Sequence, residues 1–154
     1  MFKQKKKYIK GIFLTHSHYD HIYGLNTILK KFPQINLYCN LDTKRGLSNP
    51  DINLSYMYDD GDYIVDTSLF VDVTINPVMI FEKIIEVIPT PGHDIDCTSY
   101  IIGHYFFTGD SYNSQFPVFT KWRRSNVIEA EQSIEKILHL AQKKHLRILP
   151  GHYK

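Results

Sequence analysis

Four apolar runs in this chain each end in a side chain that binds metals or moves protons, and this pattern constrains the fold most. Ile12-Phe13-Leu14 runs into Thr15-His16-Ser17-His18-Tyr19-Asp20-His21, which packs three imidazoles and a carboxylate into six consecutive residues. His93 follows Thr90-Pro91-Gly92, Asp110 follows Phe107-Thr108-Gly109, and His152 follows Pro150-Gly151. A polar cluster directly after a short apolar run reads as a loop at the C-terminal end of a strand, where open sheets present their sites. Glycine precedes three of the candidate ligands; it permits positive φ and close backbone approach, so a side chain can be aimed at a crowded centre. The adjacent pairs His16/His18 and Asp20/His21 can serve two neighbouring cations, and paired metals generate a hydroxide nucleophile at neutral pH.

Hydrophobic periodicity outlines the remaining elements. Tyr8 to Leu14 reads as a buried strand, and Ile22, Leu25, Ile28, Leu29 and Phe32 recur at helical spacing. Asp20 is expected to cap that helix and Pro33 to end it. Ile35 to Cys39 predicts a strand. Asp42 is expected to cap a short helix through Leu47, closed by Ser48-Asn49-Pro50. Asp59-Asp60-Gly61-Asp62 predicts a turn flanked by strands. Leu69 to Ile75 and Ile84 to Ile88 are β-rich, and Ser99–Ile102 with Tyr105–Phe107 predicts a hairpin turning at Gly103-His104. Asn126 and Glu129 form a capping-box-like pair, ahead of a helix whose apolar face is Ile134, Ile137, Leu138 and Ala141. Leu146 to Leu149 reads as a last strand. The mixture predicts an α+β chain, and with no repeat or linker a single domain over 1–154.

Composition excludes several function classes. A chain of 154 residues that is 43% hydrophobic and 22% charged reads as an ordinary globular domain. Net charge of +2 is too small to argue for nucleic acid, so no such partner is expected. The basic run Lys3-Gln4-Lys5-Lys6-Lys7 reads as a solvated face. The two cysteines, Cys39 and Cys97, form no C-x-x-C pair, which excludes a zinc ribbon and predicts buried free thiols. No stretch reaches the ~18 apolar residues of a membrane span, and with no apolar run after the N-terminal lysines a secretory signal is not expected. The expected location is the cytoplasm.

Taken together and in this order, T-H-S-H-Y-D-H, T-P-G-H, F-T-G-D and P-G-H resemble the metallo-β-lactamase superfamily, from about Ile9 to His152. The resemblance implies an αβ/βα four-layer sandwich with the site at the sheet edges. It assigns His16, His18 and His93 to a first metal, Asp20, His21 and His152 to a second, and Asp110 to a bridge between them. Imidazole and carboxylate donors suit zinc, with iron or manganese as alternatives. Asp20 is additionally expected to accept a proton from the nucleophilic water. An aspartate at Asp110, where antibiotic-hydrolysing branches carry cysteine or serine, points to the branch that includes hydroxyacylglutathione hydrolase (glyoxalase II). Family members place several strands ahead of the histidine cluster, so the expected sandwich lacks its first strands: the expected alternatives are a shortened member, strands supplied by a neighbouring chain, or a misplaced gene start, with a homo-oligomer covering the exposed edge favoured.

The resemblance implies a dinuclear hydrolase of a small ester, thioester or lactone. Two alternatives are a phosphodiesterase or nuclease of the same fold, with Lys121-Trp122-Arg123-Arg124 on phosphate, and a metal-stabilised binding subunit with little turnover. For Lys121 to Arg124 an exposed basic loop with a packed Trp122 is an equal reading. Asp94 and Asp96 are expected either to orient His93 or to serve as turn residues. Tyr19 is expected to line the pocket and Tyr23 to pack on the sheet. His104 is expected in a hairpin turn, His139 on a helix surface and His145 near a helix C-terminus, none of them as ligands.

Overall fold

The computed structural model describes residues 9–59, 61–65, 68–74, 78–80 and 82–153. The expectations on Lys3 to Lys7, Tyr8, Asp60 and Ile75 lie outside them. Two sheets form. The first joins β1 (Gly11–Phe13), β2 (Asn36–Cys39) and β3 (Phe70–Asp72) in that order, all parallel. The second joins β4 (Val78–Ile80), β5 (Lys83–Pro89), β6 (Thr98–Ile102), β7 (Tyr105–Gly109) and β8 (Arg147–Pro150). Its pairs are antiparallel except the last, in which β7 and β8 run parallel. Parallel neighbours need crossovers. The helices α1 (Tyr19–Ile22) and α2 (Leu25–Lys31) make the first, α3 (Leu41–Leu47) and α4 (Pro50–Asn53) the second, and α5 (Val127–Lys144) joins β7 to β8.

Alternation along the strands builds three apolar layers, because successive side chains point to opposite faces. Leu37 and Cys39 of β2 face outward with Leu14, against Ile22, Leu25 and Leu47 of the first helices. Tyr38, between them in sequence, faces inward and joins Val73, Ile85, Val87 and Tyr100 between the two sheets. Ile101 alternates with Tyr100 in the same way and packs with Phe106 beneath Ile137 of α5. The layers are therefore helix, sheet, sheet, helix, as the resemblance implied. Phe13 stacks on Tyr38 at 4.6 Å between ring centroids and meets Tyr100 edge-on at 5.1 Å, which fills the space between the sheets beside the first ligand loop.

Several local expectations change. Asp20 caps nothing: it lies inside α1, the periodic run breaks at Tyr23-Gly24, and α2 starts from Gly24 with no side-chain cap. Ile28 and Phe32 are exposed; Ile22 and Leu25 carry the burial. Asn40, one residue ahead of Leu41, caps α3 by accepting from the Thr43 amide at 2.7 Å, while Asp42 pairs with Arg45. Pro50, expected to close that helix, instead opens α4, since its missing N–H costs nothing at a first helical position. No strand flanks the Asp59–Asp62 turn among the described residues: Ser55–Met57 is a 3-10 turn and 61–65 is irregular. Asn126 caps α5 as expected, accepting from the Glu129 amide at 3.2 Å. Leu138 faces solvent and Leu140 packs in its place. Tyr23 does not pack on the sheet; it is 66% exposed. Cys39 and Cys97 are buried free thiols. Among the described residues, β1 has a strand on one side only, and no helix is long and apolar enough to cross a membrane.

The two faces of α5 give a stability prediction. Ile137 is fully buried and Leu138 is 44% exposed. Ile137→Ala should cost about 2–5 kcal/mol in urea unfolding, and Leu138→Ala under ~0.5 kcal/mol. Equal costs would show that another face is buried.

Candidate metal centre

All four ligand-bearing segments leave the same end of the two sheets. The loop after β1 brings His16 and His18, α1 brings Asp20 and His21, and the turns after β5, β7 and β8 bring His93, Asp110 and His152. Three groups of donor atoms result, each with its atoms within 4.8 Å of one another: His16/His18/His93, His16/His21/Asp110 and Asp20/His21/His152. All seven residues singled out in the sequence take part. His104, at the β6–β7 turn, His139 on α5 and His145 at its C-cap belong to none of these groups.

The outer nitrogens fix the rings. His93 Nδ1 donates to the Phe119 carbonyl oxygen at 2.8 Å and His18 Nε2 donates to Asp94 at 3.2 Å. Both partners only accept, so those nitrogens carry the protons. In neutral rings His93 Nε2 and His18 Nδ1 then present lone pairs to each other, 3.1 Å apart. Two lone pairs at that distance repel unless a cation stands between them; nitrogens bound to one tetrahedral zinc are about 3.3 Å apart. His16 Nδ1 lies 3.1 Å from the Thr15 hydroxyl, which leaves His16 Nε2 buried with no hydrogen-bond partner. Asp110 Oδ1 is likewise buried and unpartnered by hydrogen bonds. An unsatisfied buried acceptor is costly, and a divalent cation satisfies both. The donor set therefore suits a metal on grounds internal to this structure.

The second cluster is more open. His21 Nε2 is 3.1 Å from His152 Nε2 and 3.3 Å from Asp110 Oδ1. His152 Nε2 also lies 3.2 Å from Asp20 Oδ2 and 3.4 Å from Asp110 Oδ2. Asp110 Oδ2 is 3.6 Å from His93 Nε2, so this carboxylate lies beside both clusters.

Electrostatics separate the rings. Burial, and then the neighbouring imidazoles, hold His16 well below its usual value, so it stays neutral with a lone pair to offer. Burial and His18 also lower His93. Burial pulls His21 down too, but Asp110 and Asp20 outweigh it and raise the ring. Burial pushes Asp110 up, and the His21 ring beside it more than reverses this.

The aspartates after His93 do not orient its ring but serve as turn residues, the other expectation: Asp94 Oδ1 accepts the Asp96 amide at 3.2 Å and the Asp94 carbonyl accepts the Cys97 amide at 3.3 Å. Asp94 orients His18, not His93, and is neutralised by Arg124 at 3.0 Å. Asp96 turns to Ser17. Arg124 thereby pairs with a buried carboxylate. Trp122 is packed, as the exposed-loop reading expected: its ring stands edge-on to His18 at 6.3 Å and meets Phe119 at 5.0 Å. The Phe119 role was hidden from the sequence, because it works through a main-chain carbonyl that every residue carries. Tyr19, as expected, lines a cavity over the cluster of about 210 Å³, with Asp20, Leu54, Tyr58, Phe119 and Trp122 among its other walls.

Two glycines make the crowding feasible. Gly92 has φ +130°, and a Cβ there would lie 2.2 Å from the Ala130 amide nitrogen, where α5 approaches the His93 turn. Gly151 needs space and not a special φ: a Cβ would lie 2.6 Å from Asp110 Oδ1 and 2.8 Å from His21 Cε1.

A family model described as the metallo-beta-lactamase superfamily matches residues 2–152. The chain belongs to the metallo-beta-lactamase superfamily. A hydroxyacylglutathione hydrolase of Buchnera aphidicola is 33% identical over 103 residues, which cover 66% of this chain and 33% of that protein. A probable metallo-hydrolase of Streptococcus pyogenes is 29% identical over 162 residues, covering 97% of this chain and 66% of the other. The chain thus spans a third to two-thirds of these relatives. Among solved structures, the B3 metallo-beta-lactamase BLEG-1 superposes with a TM-score of 0.82 at 25% identity, over 94% of this chain and 70% of that one. TTHA1623, solved in a di-iron-bound form, gives 0.73 at 19% identity over 94% and 70%, and shows the shared fold.

The Asp94–His18 bond makes its own prediction. Asp94→Ala frees the His18 ring and should weaken zinc binding about 10–100-fold, read by titration against a chromophoric chelator. Unchanged affinity would mean that packing alone holds His18.

Proposed function

We propose that this chain is a metal-dependent hydrolase that cleaves an ester, thioester or lactone on a dinuclear centre, with zinc as the first candidate and iron or manganese also suited to the donors. The observation that carries this reading is the buried, unpartnered Nε2 of His16, in a cluster where His93 Nε2 and His18 Nδ1 face each other at 3.1 Å. His16, His18 and His93 would hold the first cation, Asp20, His21 and His152 the second, and Asp110 would touch both. The hydroxyacylglutathione hydrolases among the relatives favour a thioester. When bound, a pair of divalent cations lowers the pKa of water to near ~7 and polarises a carbonyl oxygen.

The remaining work falls to the chain. Asp94, Phe119 and Thr15 present lone pairs of the three histidines inward, so little reorganisation is left for the reaction itself. Asp20 is 42% exposed at its side chain and meets both His21 and His152, so it can take up a proton at Oδ2 and release it to solvent. Tyr19, Leu54, Tyr58, Phe119 and Trp122 form apolar walls beside these polar atoms, which suits a small carbonyl compound.

Assays of a thioester, a lactone and a phosphodiester with zinc supplied test the reaction class. Turnover of a carbonyl substrate, lost on chelation and restored by metal, is the expected result. Turnover of the phosphodiester alone would overturn it. Asp110→Ala should bind less metal than the unaltered chain and lose hydrolysis, whereas His104→Ala should keep its metal content; a full rate in Asp110→Ala would remove the bridge.

A further inference from the structure

One buried carboxylate outside the donor set does more than its neighbours. Asp96 is fully buried, and its Oδ2 accepts both the Ser17 amide at 3.0 Å and the Ser17 hydroxyl at 2.7 Å. Ser17 stands between His16 and His18. The main chain of Asp96 is equally committed. Its carbonyl oxygen accepts from Asn40 Nδ2 at 2.7 Å and the Thr43 hydroxyl at 3.3 Å, and its amide donates to Asp94 Oδ1 at 3.2 Å. Asp96 therefore ties together the loop after β1, the start of α3 and the turn that carries His93.

Space at this junction is fully used. A Cβ on Gly46 of α3 would come 2.1 Å from Ser17 Oγ, so α3 presses on the same residue that Asp96 grips. The neighbouring bond from the Thr98 amide to the Thr15 carbonyl, 2.8 Å, pins the residue before His16. Burying a carboxylate beside Asp94 is costly, and burial and then Asp94 push its pKa up to about 6. A group retained against such a cost has a purpose beyond filling volume. The second oxygen, Oδ1, makes no hydrogen bond, so all of the side chain's hydrogen bonding passes through Oδ2.

We propose that Asp96 is a positioning residue for the first cation: through Ser17 it sets the main-chain path that holds His16 and His18 in register with His93. This rests on the reading that these three histidines bind a metal. It adds that their geometry exists before the metal arrives, held by hydrogen bonds from outside the donor set, which is how ligands reach the precision that a metal demands. The acceptor geometry of Oδ2 is what matters, because one carbonyl oxygen can accept both Ser17 bonds. An asparagine therefore suffices where an alanine does not.

Zinc affinity of the intact chain, measured by competition with a chromophoric chelator, tests this without recourse to turnover. Asp96→Ala should bind zinc about 10–100-fold more weakly, by analogy with other outer-sphere partners, and Asp96→Asn should bind within a few-fold of the unaltered chain. Ser17→Ala, which deletes only the hydroxyl bond, should lose less than Asp96→Ala and should add no further loss in the double variant. The cobalt absorption spectrum of Asp96→Asn should keep the unaltered band positions. If Asp96→Ala fails to fold, Ser17→Ala and Asp96→Asn carry the test. Tight zinc binding by a folded Asp96→Ala, or by Ser17→Ala with no loss at all, overturns the role of Asp96 and leaves the metal centre standing. Equal losses in the Ala and Asn variants overturn acceptor geometry as the cause. Absence of zinc binding by the unaltered chain overturns the metal centre, and this inference with it.

Discussion

Two hydrogen bonds tie the sheets together directly ahead of the histidine cluster. The Tyr100 hydroxyl donates to the Leu14 carbonyl and the Thr98 amide to the Thr15 carbonyl, each at 2.8 Å. They join the end of β1 to β6 immediately ahead of His16. The residues His16 to His21 leave the first sheet, whereas His93, Asp110 and His152 leave the second. Neither sheet holds a complete set of donors, so the relative placement of the two sheets is the placement of the two half-sites. Tyr100 is itself almost wholly buried among the inter-sheet side chains. Core packing and ligand geometry thus share one residue.

A cluster of five imidazoles and two carboxylates would be unstable if every ring sought the same protonation state. The surroundings divide them. Burial and the surrounding rings hold His16 well below its usual value, while Asp110 and Asp20 raise His21 against the pull of burial. The same pairing lowers Asp110. Further out, Arg124 balances Asp94, so the carboxylate that steers His18 brings little net charge. Each outer nitrogen of the first three histidines has a partner of its own, and each partner comes from a different part of the chain.

Local patterns were legible wherever one kind of side chain recurs at a fixed period. The strands that carry the candidate ligands, the hairpin at Gly103-His104 and the Asn126 cap could all be read in advance. Errors collected where two short elements compete. Asp20 looked like a cap because it precedes an apolar helix, yet its carboxylate is drawn to His21 and His152 and the helix breaks behind it. Asp42 lost the cap of α3 to Asn40, whose side chain also bonds Asp96 and Thr98, a link invisible in sequence. Leu138 and Leu140 are equally apolar, and only the path of α5 over the second sheet selects between them.

The sequence by itself determined the candidate donors and their order. Imidazole and carboxylate groups placed after apolar strands and glycines have few other uses in such numbers, and their chemistry does not depend on the fold. Tertiary structure decided which nitrogen of each ring faces inward, that Asp94 serves His18 and Arg124 serves Asp94, and that a peptide carbonyl at Phe119 holds His93. Those assignments depend on contacts between segments tens of residues apart, some through main-chain atoms common to every residue. Such contacts exist only after burial has brought the two sheets together, and no local pattern encodes them.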